Sequence, residues 1–193
     1  MGLPDSKYLR ADQLKKVLAV LKAGDNPDRD RMLILLSSAL GLRVTEAVRV
    51  EKSWFRDIDK QWVWVRSAKK RHKGGPGERP EERLAVPKGI IAFIKGYMKR
   101  LEGKWFFTGR TKAGHMSERQ AFNVFSGACV AAGIGHKSFH ALRHYRGFTV
   151  QSKTGDLDLT RRQLRHTSVA ATQRYTERTP DEEKELADEI GWN

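Results

Sequence analysis

Near the C-terminal end of the chain, Tyr175 follows His166 by nine residues. Upstream, His140-Ala141-Leu142-Arg143 spells His-x-x-Arg, and Arg43 stands in Leu42-Arg43-Val44-Thr45-Glu46 at a helix boundary. Two arginines, two histidines and a tyrosine suit one reaction: attack of a phenol on a DNA phosphodiester held by cations. Such a diester resists attack because its oxygens already carry charge and more develops in the transition state. Arginine answers this well, since it stays charged and its planar fork matches two phosphate oxygens. Arg43 and Arg143 are therefore the candidate clamps, and losing one such donor typically costs about 3 kcal/mol. A phenol forms a covalent link that leaves again when the step reverses. Exchanging one phosphoester for another is nearly isoenergetic, so neither ATP nor a metal is expected. The chain carries no P-loop motif and no convincing carboxylate metal site.

Expelling the 5′ oxygen requires an acid. The basic run Lys69-Lys70-Arg71-His72-Lys73-Gly74-Gly75-Pro76-Gly77 offers lysines on a loop. Lys69 is the first choice because it follows a strand closely, with Lys70 and Lys73 as alternatives. His140 suits acid/base work or a phosphate hydrogen bond, and His166 suits donation to a non-bridging oxygen. Each residue also has a plainer reading. Arg43 could cap the preceding helix or pair with Glu46 one turn on. His140 and His144 have a spacing that zinc could use, but the Glu of His-Glu-x-x-His and a third ligand are missing, so His144 is read as structural. Lys69–Lys73 could be a solvated loop that still helps bind a DNA backbone. Trp54, Trp62 and Trp64 are read as core, and no sequence-reading helix stands out.

The positioning elements follow from periodicity. Leu14, Val17, Leu18 and Leu21 mark a helix over 11–22. A second helix opens at Pro27-Asp28 and closes at Gly41. A short third covers Thr45 to Val50. Gln61-Trp62-Val63-Trp64-Val65-Arg66 reads as a strand, and Arg83-Leu84-Ala85-Val86-Pro87 as its partner across the basic loop. Further helices are expected over about 88–101, 117–132, 138–153, 158–165 and 168–175, with Ser117 and Ser138 as N-caps. Lys104–Thr108 reads as a short strand or an extended connector. Thr179-Pro180-Asp181-Glu182 starts a last helix, with a thin apolar stripe at Leu186 and Ile190.

The chain has 193 residues, 39% of them hydrophobic, with a net charge of +14. This allows one domain with a real core and suggests a polyanionic partner. Five tryptophans argue against a disordered basic tail. Residues 181–189 hold six acids and one lysine, an acidic segment that either docks on protein or is an ordinary solvated helix. Domain limits are set at 1–178 for the catalytic body and 179–193 for the acidic tail. One cysteine, Cys129, excludes an intrachain disulfide and reads as a buried hydrophobe. No apolar run reaches the length of a membrane span and no signal peptide is recognisable, so a cytoplasmic, nucleoid-associated protein is expected.

These residues resemble the tyrosine recombinase (phage integrase) family over roughly residues 9–178. The family's arginine box stands as Gly41-Leu42-Arg43-Val44-Thr45-Glu46, its strand–loop lysine falls near Lys69, and its second strand resembles Arg83–Pro87. Its His-x-x-Arg-His box stands as His140–His144, and its final box as Leu164-Arg165-His166 with Thr172-Gln173-Arg174-Tyr175. The gaps of 97, 26 and 9 residues along Arg43, His140, His166 and Tyr175 also look family-like. Any one box is weak; the ordered set is strong. The resemblance implies a mainly helical α+β catalytic domain with a small antiparallel sheet, wrapped on double-stranded DNA. It implies a 3′-phosphotyrosyl intermediate and a free 5′-hydroxyl. It also implies a homotetramer on DNA, in which segment 179–193 contacts a neighbouring protomer and an accessory bending or directionality factor can assist.

There are departures from the pattern. Arg165 stands where the family usually has glycine, and either adds a phosphate contact or strains the turn. Ala141 replaces a commoner aspartate, and the lysine loop is long. The chain is expected to be either an excised catalytic domain or a short single-domain enzyme, and a lone half-clamp predicts weak DNA affinity. A type IB topoisomerase shares the chemistry and is the alternative enzyme. An inactive DNA-binding accessory protein is the alternative outside enzymes, which the complete Arg, Lys, His, Arg, His, Tyr set argues against.

Overall fold

The computed structural model describes residues 9–66, 81–109, 114–166, 168, 170–173 and 175. The architecture is α+β and mainly helical, with one two-stranded antiparallel sheet. Among the described residues the α-helices are α1 (Ala11–Val20), α2 (Pro27–Leu40), α3 (Val44–Ala47), α4 (Lys88–Lys99), α5 (Glu118–Ala131), α6 (His140–Thr154), α7 (Leu157–Leu164) and α8 (Ala170–Gln173). The strands are β1 (Trp62–Arg66) and β2 (Glu81–Ala85).

Two helices form the axis on which everything else is hung. α2 is wrapped by neighbours on most of its circumference: Met32, Leu33, Ile34, Leu36 and Leu40 are buried together with Ser37 and Ser38. It packs against α6, which in turn packs against α7, while α1 packs against α5. α2 ends as the sequence suggests. Gly41 takes a left-handed φ of 60°, and a Cβ there would come within 2.8 Å of the Leu164 side chain and 3.3 Å of Arg146. Only glycine meets both demands, so the C-terminus of α2 lies directly against the end of α7.

The sheet pairs Trp62 with Ala85, Trp64 with Arg83 and Arg66 with Glu81. Val63, Val65 and Leu84 point into the core. Trp54 is core as expected, but Trp62 and Trp64 lie half-buried on the outer face. There Arg83 covers Trp62 at 4.2 Å and Arg56 covers Trp64 at 4.4 Å, so guanidinium stacking replaces burial. β2 begins two residues earlier than expected, where Glu81 accepts from Arg66 at 2.9 Å. It stops before Pro87, which has no N–H to donate and caps α4 instead. Lys104–Thr108 is a connector with isolated bridges at Trp105 and Thr108 rather than a strand. Ser117 caps α5 by accepting from the Gln120 N–H at 3.1 Å. Ser138 does not cap α6: the cap is Phe139, whose ring is buried, and the helix starts at His140. α3 is a single turn, shorter than its sequence window suggests.

Candidate active site

Two helix C-termini meet at one end of the α2–α6 axis, and their last carbonyls have no intrahelical partner. Arginines satisfy them. Arg143, on the first turn of α6, donates Nη1 to the Gly41 carbonyl at 2.7 Å and Nη2 to the Leu164 carbonyl. Arg165, just past α7, donates Nη1 to Leu40 O at 3.2 Å and Nη2 to Gly41 O at 3.3 Å. Cations here also oppose the negative ends of both helix dipoles. Arg143 is 1% exposed and Arg165 5%, so both depend on these fixed acceptors in place of water.

Arg43 comes to the same place by another route. It is the residue before α3, and Glu46, three residues on, turns back to it. Glu46 Oε2 accepts from the Arg43 backbone N–H at 2.9 Å and Oε1 from Arg43 Nη1 at 2.8 Å. The same Oε2 accepts from Arg165 Nη2 at 2.7 Å, and Arg43 Nη2 reaches the Arg165 carbonyl at 3.4 Å. A single buried carboxylate therefore joins two guanidinia that lie far apart in sequence. Burial alone would raise the Glu46 carboxyl. Arg165, the Arg43 N–H and the charges of Arg43 and Arg143 outweigh that and hold it below its ordinary value. For Arg143, burial and then the repulsion of Arg43 and Arg165 push the guanidinium down to about 9, while Glu46 and Tyr175 act in the opposite direction. It stays charged at neutral pH. Of the plainer readings of Arg43, the ion pair with Glu46 is present, and the α2 C-terminus is capped by Arg143 and Arg165 instead.

Tyr175 sits beside this cluster, 4% exposed. Its hydroxyl lies 2.9 Å from His144 Nδ1. The ring is stacked 6.4 Å from His166 at an interplanar angle of 15°, with the edge of Phe148 at 5.2 Å. It rests on Gly147, where a Cβ would come within 2.5 Å of the ring. His166 Nδ1 contacts Thr172 Oγ1 at 2.9 Å, tying the segment before α8 to α8 itself. His140 is exposed at the start of α6, its ring 5.0 Å from that of His144.

The structure thus gathers Arg43, His140, Arg143, His166 and Tyr175 at the junction of α2, α3, α6 and α7. Lys69, Lys70 and Lys73 lie outside the described residues, as does the boundary at 178/179 with the acidic segment beyond it. Two residues at the site have roles that their sequence readings do not give. His144, read as structural, contacts the phenol; its signal was that 140, 144 and 147 fall on one helical face, with a glycine where helices disfavour one. Arg165 turns inward to Glu46 and carbonyls, and does so from a left-handed φ of 54°. Among the described residues, no three histidines, cysteines or carboxylates come together as a metal site would need, and no helix is long and apolar enough to cross a membrane.

The chain is similar to known proteins in sequence and in fold. The model of the phage integrase family matches residues 7–182. A tyrosine recombinase XerD of Caulobacter vibrioides is 28% identical over 189 residues, covering 91% of this chain and 58% of the relative. A tyrosine recombinase XerC of Neisseria meningitidis serogroup B is 30% identical over 191 residues, covering 95% of this chain and 60% of the relative. The chain therefore spans about three fifths of the length of these relatives. The crystal structure of XerA recombinase superposes with a TM-score of 0.76 at 19% identity, over 96% of this chain and 64% of that one. XerH bound to its difH substrate before cleavage gives 0.73 at 19% identity, over 100% and 56%.

Proposed function

The chain belongs to the phage integrase family, and we propose that it is the catalytic portion of a site-specific tyrosine recombinase acting on double-stranded DNA. The observation that carries this reading is the placement of Tyr175, its hydroxyl 2.9 Å from His144 Nδ1 and its ring stacked on His166, beside a cluster of three arginines and one carboxylate. Arg43 and Arg143 hold the scissile phosphate through donors not committed to Glu46 and the carbonyls. The Tyr175 oxygen attacks phosphorus, an O–P bond forms, and the bond from phosphorus to the 5′ oxygen breaks. The product is a 3′-phosphotyrosyl link and a free 5′-hydroxyl. The phenol proton passes to a neighbouring histidine, with His144 Nδ1 the nearest at 2.9 Å. His166 donates to a non-bridging oxygen, and His140 lies at the open edge of the site. A lysine of the 69–73 run, Lys69 first, protonates the leaving oxygen. Attack by a 5′-hydroxyl from another strand reverses each step and rejoins the DNA, with one phosphoester made for each one broken and no ATP, metal or cofactor required. Strand exchange takes place in a tetramer, in which 179–193 contacts a neighbouring protomer. A phenol this deeply buried must shift outward from its seat on Gly147 to meet a duplex.

The test is a pool of nicked duplexes, randomised around the nick, from which the released fragment bearing the free 5′-hydroxyl diffuses away and leaves the intermediate trapped. The parent protein should give adducts that survive denaturant, and Tyr175→Phe should give none. Absence of adduct from parent protein that binds duplex tightly would overturn the reading.

A further inference from the structure

We infer that Arg165 is a positioning residue for the cleavage step: it shares Glu46 with Arg43, so that Arg43 keeps charge and donors for phosphate. The inference rests on the recombinase reading above and extends it to a residue that the family pattern leaves as glycine.

Arg165 closes α7 at φ 54°, with its N–H to Arg162 O at 3.0 Å and the His166 N–H to Arg161 O at 3.0 Å. Glycine takes this left-handed cap freely, whereas a residue with a Cβ is strained there. Closing the helix therefore does not call for arginine, and the side chain has a separate role. Its guanidinium is 1% exposed and its Nε is buried without a partner among the described residues, a further cost of placing it there. The gain is the 2.7 Å contact to Glu46 Oε2, beside the Leu40 and Gly41 carbonyls that the same guanidinium satisfies. Without Arg165, both Glu46 oxygens are left to Arg43, which already meets Oε1 through Nη1 and Oε2 through its backbone N–H. A carboxylate and guanidinium left alone close into a bidentate pair. That pair would neutralise Arg43 and rotate its fork away from the phosphate. With Arg165 present, two guanidinia share the carboxylate, and with Arg143 beside them the cluster keeps an excess of two positive charges for a phosphate that gains charge in the transition state.

Arg165 acts through Glu46 and not on the DNA itself, so its effect should fall on rate and not on binding. Arg165→Gly suits the test because glycine accepts the cap and the protein should fold. On a duplex recovered in the adduct experiment, single-turnover cleavage at saturating protein should fall roughly 10–100-fold, the scale seen when outer-shell partners of catalytic groups are lost. The duplex Kd should stay within about twofold; Tm should fall, because a buried pair loses one partner, so cleavage is read well below the unfolding transition. Arg165→Lys, which keeps a donor near Glu46, should recover part of the rate. In a Glu46→Gln background, removing Arg165 should change the rate no further. Parent-like cleavage by Arg165→Gly overturns the inference and leaves the recombinase reading intact. Equal losses in Arg165→Gly and Arg165→Lys, or a loss that tracks the unfolded fraction, also overturn it by assigning the residue to folding alone. A parent protein that forms no adduct overturns the recombinase reading itself, and the inference with it.

Discussion

Gly147 lies inside α6, where replacing glycine by alanine ordinarily stabilises a helix by about 1 kcal/mol. Here the added methyl would sit 2.5 Å from Tyr175 Cζ and 2.6 Å from Cε1, far inside van der Waals contact. Either the ring or the helix must move, and overpacking of this kind costs about 1–3 kcal/mol. Gly147→Ala should therefore be neutral to about 2 kcal/mol destabilising in the parent. In a Tyr175→Ala background the ring is gone, only the propensity gain remains, and the same substitution should stabilise by about 1 kcal/mol. The quantity to measure is the coupling across this double-mutant cycle, about 1–3 kcal/mol, from urea unfolding followed by circular dichroism. Stabilisation by the same amount in both backgrounds would show that the phenol does not rest on Gly147, and the seat described for the nucleophile would be wrong.

Other substitutions probe the rest of the site. Glu46 is 1% exposed, so Glu46→Gln, which strips the counterion from Arg43 and Arg165, should cost about 3–5 kcal/mol at pH 7. Its folded-state pKa lies below the ordinary 4.5, so the unfolded chain takes up the proton first as pH falls. The stability Glu46 provides is full above about pH 4.5 and fades as pH drops through the folded value, so urea midpoints of parent and variant should converge at low pH; a constant gap would contradict the ion pairing. Cys129 is fully buried and burial raises its thiol to about 11. Thiol reagents should label it no faster than the chain unfolds, and rapid labelling of native protein would contradict the packing around α5. Single alanine variants of Lys69, Lys70 and Lys73 should show one large loss of cleavage that a 5′-phosphorothiolate leaving group restores. Full activity of Lys69→Ala would move the acid elsewhere.

Much of the fold was legible because its signals are local. The stripe of Leu14, Val17 and Leu21, the Pro27 start and Gly41 stop of α2, and the Ser117 cap each appear within a few residues, and the structure places them as read. Errors arose where tertiary contacts decide. Phe139 displaces Ser138 at the α6 cap because its ring fills the core, and β2 starts at Glu81 because Arg66 and Arg56 lie across from it. At the candidate site, the residue types and their order pointed to Arg43, Arg143, His166 and Tyr175. Sequence could not show that Glu46 is shared, because the bond joining it to Arg165 links the end of α3 to the end of α7, two elements that meet only through the packing of α2, α6 and α7. The Arg165 substitution for glycine was visible as an anomaly, but its direction was not, since a guanidinium at a helix end can turn toward solvent phosphate or toward buried carbonyls. His144 was set aside for the same reason: whether a second histidine faces a phenol or the core depends on where Tyr175 returns along α6.

The central claim is that Tyr175 is the nucleophile and that it takes the 3′ side of the break. Trapped protein–DNA adduct should be digested with nuclease and protease and the peptides sequenced by mass spectrometry. One modified peptide is expected, with a nucleotide joined through its 3′ phosphate to the Tyr175 oxygen and a free 5′-hydroxyl on the released strand. A modified residue other than Tyr175, or a 5′ linkage, would contradict it.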